Sequence, residues 1–465
     1  MFFRVLADVV FGNPFSEERA ALVAGLAPGT KFGDLSEDRE ALARLVGARL
    51  PNQWTAEERA LVEPALLYVS YHRYVPQIDA HIERQAKQGG APLVVPFAEE
   101  LINELVRRDF SEEAAVRYLA LFFQLRRAFY FIHRSLAGEC ESMRRLRESL
   151  WNNVFTHDMR GYDAALWNRM EDFSTLVLGE TGTGKGEVAA AIGRSAFIPY
   201  RPEQRRFAAN FADSFIAINL SQFPETLIES ELFGHRKGAF TGAIDHHEGV
   251  FERCSAHGAL FLDEIGEVSV PVQIKLLQVL QERTFTPLGG RDKKRFSGRV
   301  IAATNQRLEQ LRRDGRFRDD FFYRLCSDVI LVPTLRQRVA ESEAELPQLV
   351  RILVERLTGS PQRAEQVLES LPKEHTWPGN VRELEQAVRR VLLTGRYIPL
   401  VTPPGSDDEA GFIQKLRAGE LTAAELLARY SAMLHRRLGT YAEVAKRTGL
   451  DPRTTRKYVD GARSG

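Results

Sequence analysis

Seven residues, Gly179-Glu180-Thr181-Gly182-Thr183-Gly184-Lys185, restrict the fold more than any other stretch of this chain. They follow the apolar run LVL and lead into EVAAAIGRSAF, the strand–loop–helix setting in which a glycine-rich loop wraps phosphate. The glycines let backbone N–H groups close around phosphate oxygens, and the following helix points its positive end at them. Lys185 would add a point charge on the terminal phosphates. The next residues in the nucleotide-facing set are Gly186 and Glu187. Such loops usually carry Ser or Thr at the first of these, and Gly186 has no oxygen to offer magnesium.

A sheet begun this way should continue as alternating strands and helices. The runs STLVLG, FIAINL, GALFLDE, RVIAATN and VILVP, separated by helical segments, predict a parallel sheet covered by helices. GALFLDE ends in Asp263-Glu264, two carboxylates at the C-terminal end of a strand, where ligands bind in open α/β sheets. Acids after a strand are often only helix caps. Downstream of a phosphate loop they predict more: Asp263 holding Mg2+, directly or through water, and Glu264 polarising the attacking water. The site reads as an NTPase.

The rest of the 465 residues fits about three domains. Apolar residues make up 44% and the net charge is +1, so any nucleic-acid contact must be local. Cys140, Cys254 and Cys326 form no CxxC pair, which argues for a reducing compartment and against a disulfide or zinc framework. With no run near the roughly 18 apolar residues of a membrane span, the expected location is cytoplasmic.

Residues 1–150 read as helical, with apolar residues at spacings of three and four. Helix starts are expected at Ser16, Ser36, Ser111 and the capping box Thr55-Ala56-Glu57-Glu58, and punctuation at Pro51, Pro76, Gly89, Gly90, Pro92 and Pro96. Tyr68, Tyr71 and Tyr74 and the group Phe122, Phe123, Phe129, Tyr130 and Phe131 suit either a core or a ligand pocket. IPLVTPPGSDDEAG (398–411) reads as a linker. Residues 412–465 carry 11 Lys/Arg against 5 Asp/Glu, in a helix, a glycine-containing turn and a Pro-initiated basic helix. That is a helix-turn-helix pattern, and Arg453, Thr454, Thr455, Arg456 and Lys457 are its candidate contacts to double-stranded DNA.

The ordered set GETGTGK, ELFGHRKGAFTGA, GALFLDEIGEV, IAATN, FRDDFFYRL and WPGNVRELE resembles the AAA+ domain of sigma-54-dependent activators, the bacterial enhancer-binding proteins, over roughly residues 170–395. The C-terminal unit resembles their Fis-type helix-turn-helix. The resemblance implies a multidomain chain: a helical regulatory domain (1–150), an α/β AAA+ ATPase domain with its phosphate loop (151–333), a helical lid (334–397), the linker and the DNA-binding unit (412–465). It implies that Gly238, Ala239, Phe240, Thr241, Gly242 and Ala243 tip a surface loop that engages sigma-54. By the same resemblance Asn219 holds the catalytic glutamate, and Thr304 and Asn305 form a sensor at a strand end. Arg318 and Arg324 are presented in trans to a neighbour's γ-phosphate, and Arg382 reaches the nucleotide from the lid. The implied activity is ATP-driven remodelling of the sigma-54 RNA polymerase holoenzyme by a DNA-bound homo-oligomer, a hexameric ring. Two other readings stay open: an AAA+-fold DNA-binding regulator with weak or no hydrolysis, and an AAA+ remodeller of another protein. Three departures from the pattern are Gly186 where most relatives have Glu, Pro333-Thr334-Leu335-Arg336-Gln337-Arg338 in place of PPLRER, and a longer stretch at 198–214. The input signal and target genes are not written in the sequence.

Overall fold

The computed structural model describes residues 2–26, 55–372, 375–397 and 421–461, with isolated positions 412, 416 and 419. Ser36, Pro51 and the 398–411 linker lie outside them. The chain forms two compact units, 1–396 and 397–465.

The five apolar runs are the five strands of one parallel sheet. They are β1 (Thr175–Leu178), β2 (Phe215–Asn219), β3 (Ala259–Asp263), β4 (Arg299–Thr304) and β5 (Asp328–Leu331), in the order β2-β3-β4-β1-β5. Every residue of β4 is buried, as are the first four of β3, so these strands read as unbroken apolar runs rather than alternating ones. In register, Asn219 lies opposite Asp263, and Leu178 opposite Thr304. The ends of β1, β2, β3 and β4 therefore bring the glycine loop, Asn219, the Asp263-Glu264 pair and Asn305 to one edge of the sheet.

Six described α-helices of ten residues or more precede the sheet: α1 (Phe2–Phe11), α2 (Glu17–Leu26), α3 (Ala56–Gln88), α4 (Ala98–Arg107), α5 (Glu112–Arg134) and α6 (Glu141–Phe155). The capping box forms as expected, with Thr55 and Glu58 exchanging bonds, and Ser111 caps α5 by accepting from Ala114 N–H. Pro76 does not interrupt the chain. It lies inside α3, where burial of Tyr74, Ile78 and Ile82 outweighs the one backbone bond a proline removes; the helix stops at Gly89, whose φ is 60°.

This helical region is not a separate bead. The long 198–214 segment forms a short ribbon, Tyr200–Arg201 against Arg206–Phe207, that presents two rings to it. Phe207 stacks on Phe123 at 4.0 Å, and Phe211 meets Phe131 at 5.6 Å. Between them lies Arg127, fully buried, with its guanidinium 4.5 Å from the Phe123 ring. It donates to the carbonyls of Arg194 (2.6 Å) and Ala196 (2.7 Å), just past the end of α7 (Lys185–Gly193), the helix that follows the glycine loop. Burial pulls the Arg127 pKa down to about 9. Replacing Arg127 by Ala should cost about 2–4 kcal/mol, because two carbonyls lose their donor and a hole opens between the rings. Arg127→Met, which keeps the volume, should lose less; urea unfolding of both variants checks the order.

α6 goes further in. Asn153 donates to Thr175 Oγ1 (3.0 Å) and Asp328 Oδ2 (2.6 Å), while Arg299 reaches the Asn153 carbonyl (3.2 Å) and Oδ1 (2.9 Å). The first residues of β1, β4 and β5 are thus pinned to one asparagine.

The region where the resemblance implies a lid consists of α8 (Leu335–Glu341), α9 (Glu345–Thr358), α10 (Ala364–Ser370) and α11 (Asn380–Thr394). Its buried pair Arg338–Glu345 faces the turn between α5 and α6: Arg338 donates to the Ala137 carbonyl (2.6 Å), and Glu139 N–H donates to Glu345 (3.2 Å). Gly138 sits there at φ 110°, and a Cβ would collide with both members of the pair.

The second unit is a three-helix bundle of α12 (Ala423–Leu438), α13 (Tyr441–Thr448) and α14 (Pro452–Gly461), closed over Val444 and Val459. Asp451 caps α14, its Oδ1 accepting from the N–H groups of Arg453 and Thr454 at 3.0 Å. Arg453, Arg456 and Lys457 are exposed and Thr454 is half-buried. Thr455 corrects the sequence expectation. It is fully buried and donates its hydroxyl to the Asp451 carbonyl, because its place on the helix faces the bundle and not solvent.

Candidate functional site

The glycine loop turns sharply between β1 and α7, with φ of 80° at Gly182 and 100° at Gly184, conformations in which a side chain is strained. Lys185 is the first residue of α7 and is nearly buried. Its ammonium folds back to the carbonyls of Gly179 (2.9 Å) and Glu180 (3.3 Å), inside the concavity where a phosphate would sit. Burial lowers its pKa, and the nearby Glu264 and Asp263 act in the opposite direction. Thr181 Oγ1 accepts from the Asn305 amide at 2.7 Å, so the end of β4 touches the loop directly. Thr183 donates its hydroxyl to the Glu180 carbonyl. Gly186 has open space where a Cβ would stand, and Glu187 is exposed.

Glu264 is held in the left-handed region at φ 56°, its N–H donating to Asp263 Oδ1 at 3.0 Å. One carboxylate oxygen, Oε2, is buried without a hydrogen-bond partner. Burial first, and the adjacent Asp263 second, push the Glu264 pKa above the ordinary range. An acidic oxygen left unpaired at the mouth of a phosphate loop is costly unless a ligand, water or metal meets it. Asn219 is placed differently from the sequence expectation. Its amide comes within 3.5 Å of Asp263 Oδ2, its cross-strand neighbour, and its Oδ1 accepts from Ser221. In this state it is the magnesium candidate that Asn219 faces, and not Glu264.

The lid closes onto the loop through groups that sequence reasoning did not select. Arg336 forms a forked ion pair with Glu180, and Asn380 donates to Glu180 Oε2 and the Thr181 carbonyl, both at 3.1 Å. The Arg336 pairing holds the Glu180 carboxyl down at about 2. Arg382 N–H approaches the Gly182 carbonyl at 3.3 Å, and Gly379 and Arg382 leave no room for a Cβ on Gly182. Arg336 appeared in the sequence only as part of a departure. The signal for Asn380 was its place just after Pro-Gly at a helix start, where its φ is 55°.

Arg318 and Arg324 are not brought to this loop. Arg318 forms a fork with Asp320 (3.0 and 2.6 Å) and Arg324 donates to the Leu280 carbonyl at 2.8 Å. The stretch Gly238–Ala243 forms a tight turn, closed by Gly238 N–H to the Ala243 carbonyl at 2.8 Å. Gly238 and Gly242 supply positive φ, Thr241 is exposed, and Phe240 remains 37% exposed with its ring 5.0 Å from His235. Ala243 is buried beneath.

Residues 162–330 match the sigma-54 interaction domain family. Among characterised proteins, the chain is 41% identical over 301 residues to the Nif-specific regulatory protein of Azotobacter vinelandii, covering 64% of this chain and 51% of that protein. It is 36% identical over 317 residues to the DNA-binding transcriptional regulator NtrC of Rhizobium meliloti (66% and 60%). It is 40% identical over 221 residues to the sigma54-dependent transcriptional activator SfnR of Pseudomonas putida (48% and 57%). The chain thus spans between half and three fifths of the length of these relatives. The glycine loop, the Asp263-Glu264 strand, the turn at 238–243 and both FRDDFFYRL arginines all fall within the matched residues. Residues 162–330 are thus similar to a sigma-54 interaction domain, a domain of the AAA+ ATPase type.

Proposed function

We propose that the chain is an ATP-hydrolysing transcription activator that binds upstream double-stranded DNA and remodels the sigma-54 RNA polymerase holoenzyme to open a promoter. The observation that carries this reading is the pairing of two features in one domain: an exposed Phe240-Thr241 turn and a nucleotide cradle lined by Lys185, Asp263 and Glu264.

The donor set fits Mg·ATP. Gly179, Thr181, Gly182, Thr183 and Gly184 would surround the phosphates with backbone N–H groups, Lys185 would leave its two carbonyls for them, and Asp263 would hold the metal. Mg2+ supplies charge neutralisation between the phosphate oxygens. Glu264 would orient and deprotonate the water, Asn305 would report the state of the loop, and Arg382 with the Glu180–Arg336–Asn380 contact would close the lid. Arg318 and Arg324, pointing elsewhere in their own chain, would serve a neighbouring subunit, which makes hydrolysis depend on a homo-oligomeric ring whose subunits native mass spectrometry counts. Arg453, Thr454, Arg456 and Lys457 on α14 would meet DNA. No helix of the described residues is long and apolar enough to cross a membrane, which agrees with a cytoplasmic regulator.

The test is purified transcription from a sigma-54 promoter. Thr241→Ala should retain ATPase activity within about two-fold, since an exposed hydroxyl in a turn contributes little to the fold, and should lose open-complex formation. Normal open complexes with this variant would remove the sigma-54 contact from the reading. One observation favours a regulator with weak hydrolysis instead: Gly186 offers no oxygen, and the Thr183 hydroxyl is already committed to Glu180.

A further inference from the structure

A half-open cavity of about 550 Å³ lies within the helical region, lined by residues of α1, α2, α3, α5 and α6, in the size range of small-molecule sites. Its wall is aromatic: Phe11, Phe15, Tyr71, Phe122 and Trp151 all face it. Phe15 lies edge-on to Trp151 at 6.1 Å, and Tyr71 edge-on to Phe122 at 5.4 Å, so the rings support one another around the space instead of filling it.

Four arginines also line this cavity, and they divide into two kinds. Arg126 is neutralised by a fork to Asp79, and Arg144 by Glu17 and Glu141. Arg19 has no such partner. Its Nε donates to the Val9 carbonyl at 2.9 Å, and among the described residues no carboxylate reaches its guanidinium. Burial depresses its pKa, with Tyr68 and Tyr71 acting against that. Arg147 is 8% exposed and is held by the carbonyls of Leu136 and Gly138, while its Nε is buried with no partner. Glu139, on the cavity wall, and Glu345 act favourably on Arg147, whereas among the described residues no carboxylate does so for Arg19; a buried guanidinium in that position is expensive unless an anion enters with it.

We propose that this cavity is a binding site for a small amphiphilic anion, an aromatic or alkyl body carrying one carboxylate, with Arg19 as its counter-charge and Arg147 as a second donor. The apolar body replaces water against the rings, and the carboxylate accepts from the terminal nitrogens of Arg19. A neutral body of the same shape gains the first term and forgoes the second, which is the basis for selection.

The test is calorimetric titration of the full chain with 1-naphthoate, with decanoate and with the neutral 1-naphthalenemethanol. At least one anion should saturate one site per chain, and naphthoate should bind at least about ten-fold tighter than the alcohol, as a hydrogen bond between charged groups allows. The naphthoate and decanoate arms separate an aromatic from an alkyl ligand. Arg19→Met should bring naphthoate down to the affinity of the alcohol, and Arg19→Lys should keep most of it. Leu125→Trp, which fills the chamber from α5, should abolish binding of all three and serves even where the Arg19 variants fail to fold. The proposal is overturned if neither anion saturates, if alcohol and naphthoate bind equally, or if Leu125→Trp changes nothing. None of these readouts requires ATP, DNA or sigma-54, so the site and the activator reading stand or fall separately.

Discussion

Glu264→Gln should reduce ATP turnover by about 10²–10⁴-fold, the usual contribution of a positioned general base, while leaving nucleotide affinity within a few-fold. The amide has the shape of the carboxylate and cannot take a proton. At the buried position that lacks a partner, the substitution replaces an ionisable oxygen by a neutral polar atom. Because burial and Asp263 raise the Glu264 pKa, its ionised form costs stability above the unfolded value, so the variant should be at least as stable as the parent. The sign carries over to the rate. Turnover needs the carboxylate, so it should fall as pH drops through a value above the ordinary glutamate range, and that acid limb should vanish in Glu264→Gln. Steady-state turnover against pH, with affinity measured by a fluorescent ATP analogue, reads all three. Undiminished turnover in the variant would assign the base elsewhere.

The second large effect concerns Arg318. Arg318→Ala should lower kcat by about 10³–10⁵-fold, the range for an arginine that stabilises charge on a transferred phosphoryl group. The loss should be recoverable by mixing. Lys185→Ala subunits are silent at their own loop but carry an intact Arg318; Arg318→Ala subunits are the converse. If the arginine acts across an interface, combining two inactive variants restores a fraction of the activity, through interfaces that hold an intact loop and an intact arginine. No recovery would place Arg318 in its observed pairing with Asp320 as a structural ion pair only. Arg324→Ala in the same mixing assay separates the two arginines.

The sheet was legible because each strand is an unbroken apolar run with no competing helical period, and because the glycine loop fixes which strand comes first. The positions of Lys185 and the Asp263-Glu264 pair followed from that order alone. The lid contact was not legible. Arg336 and Asn380 lie more than 150 residues beyond Glu180 in sequence, and only the folded lid brings them to it. Asn219 was assigned a partner from a likeness, and the strand register gives its amide to Asp263 instead. The α14 residues failed at one position, Thr455, because a basic helix in a three-helix bundle must still turn one face inward. In the N-terminal region the aromatic residues did not distinguish a core from a chamber. That distinction rests on where Arg19 and Arg147 lie relative to the rings, which no spacing in the sequence encodes.

α6 has a practical consequence for dissecting this protein. A scissile boundary at residue 150 would cut the helix five residues before its end, strip Phe207, Phe211 and the end of α7 of their cover, and remove much of the support around Asn153. A truncated chain would then report exposed apolar surface and self-association, whatever the intact molecule does with its signal. Chimeras that exchange the input region need their junction after Phe155, and should carry the 198–214 ribbon along with the donor helices.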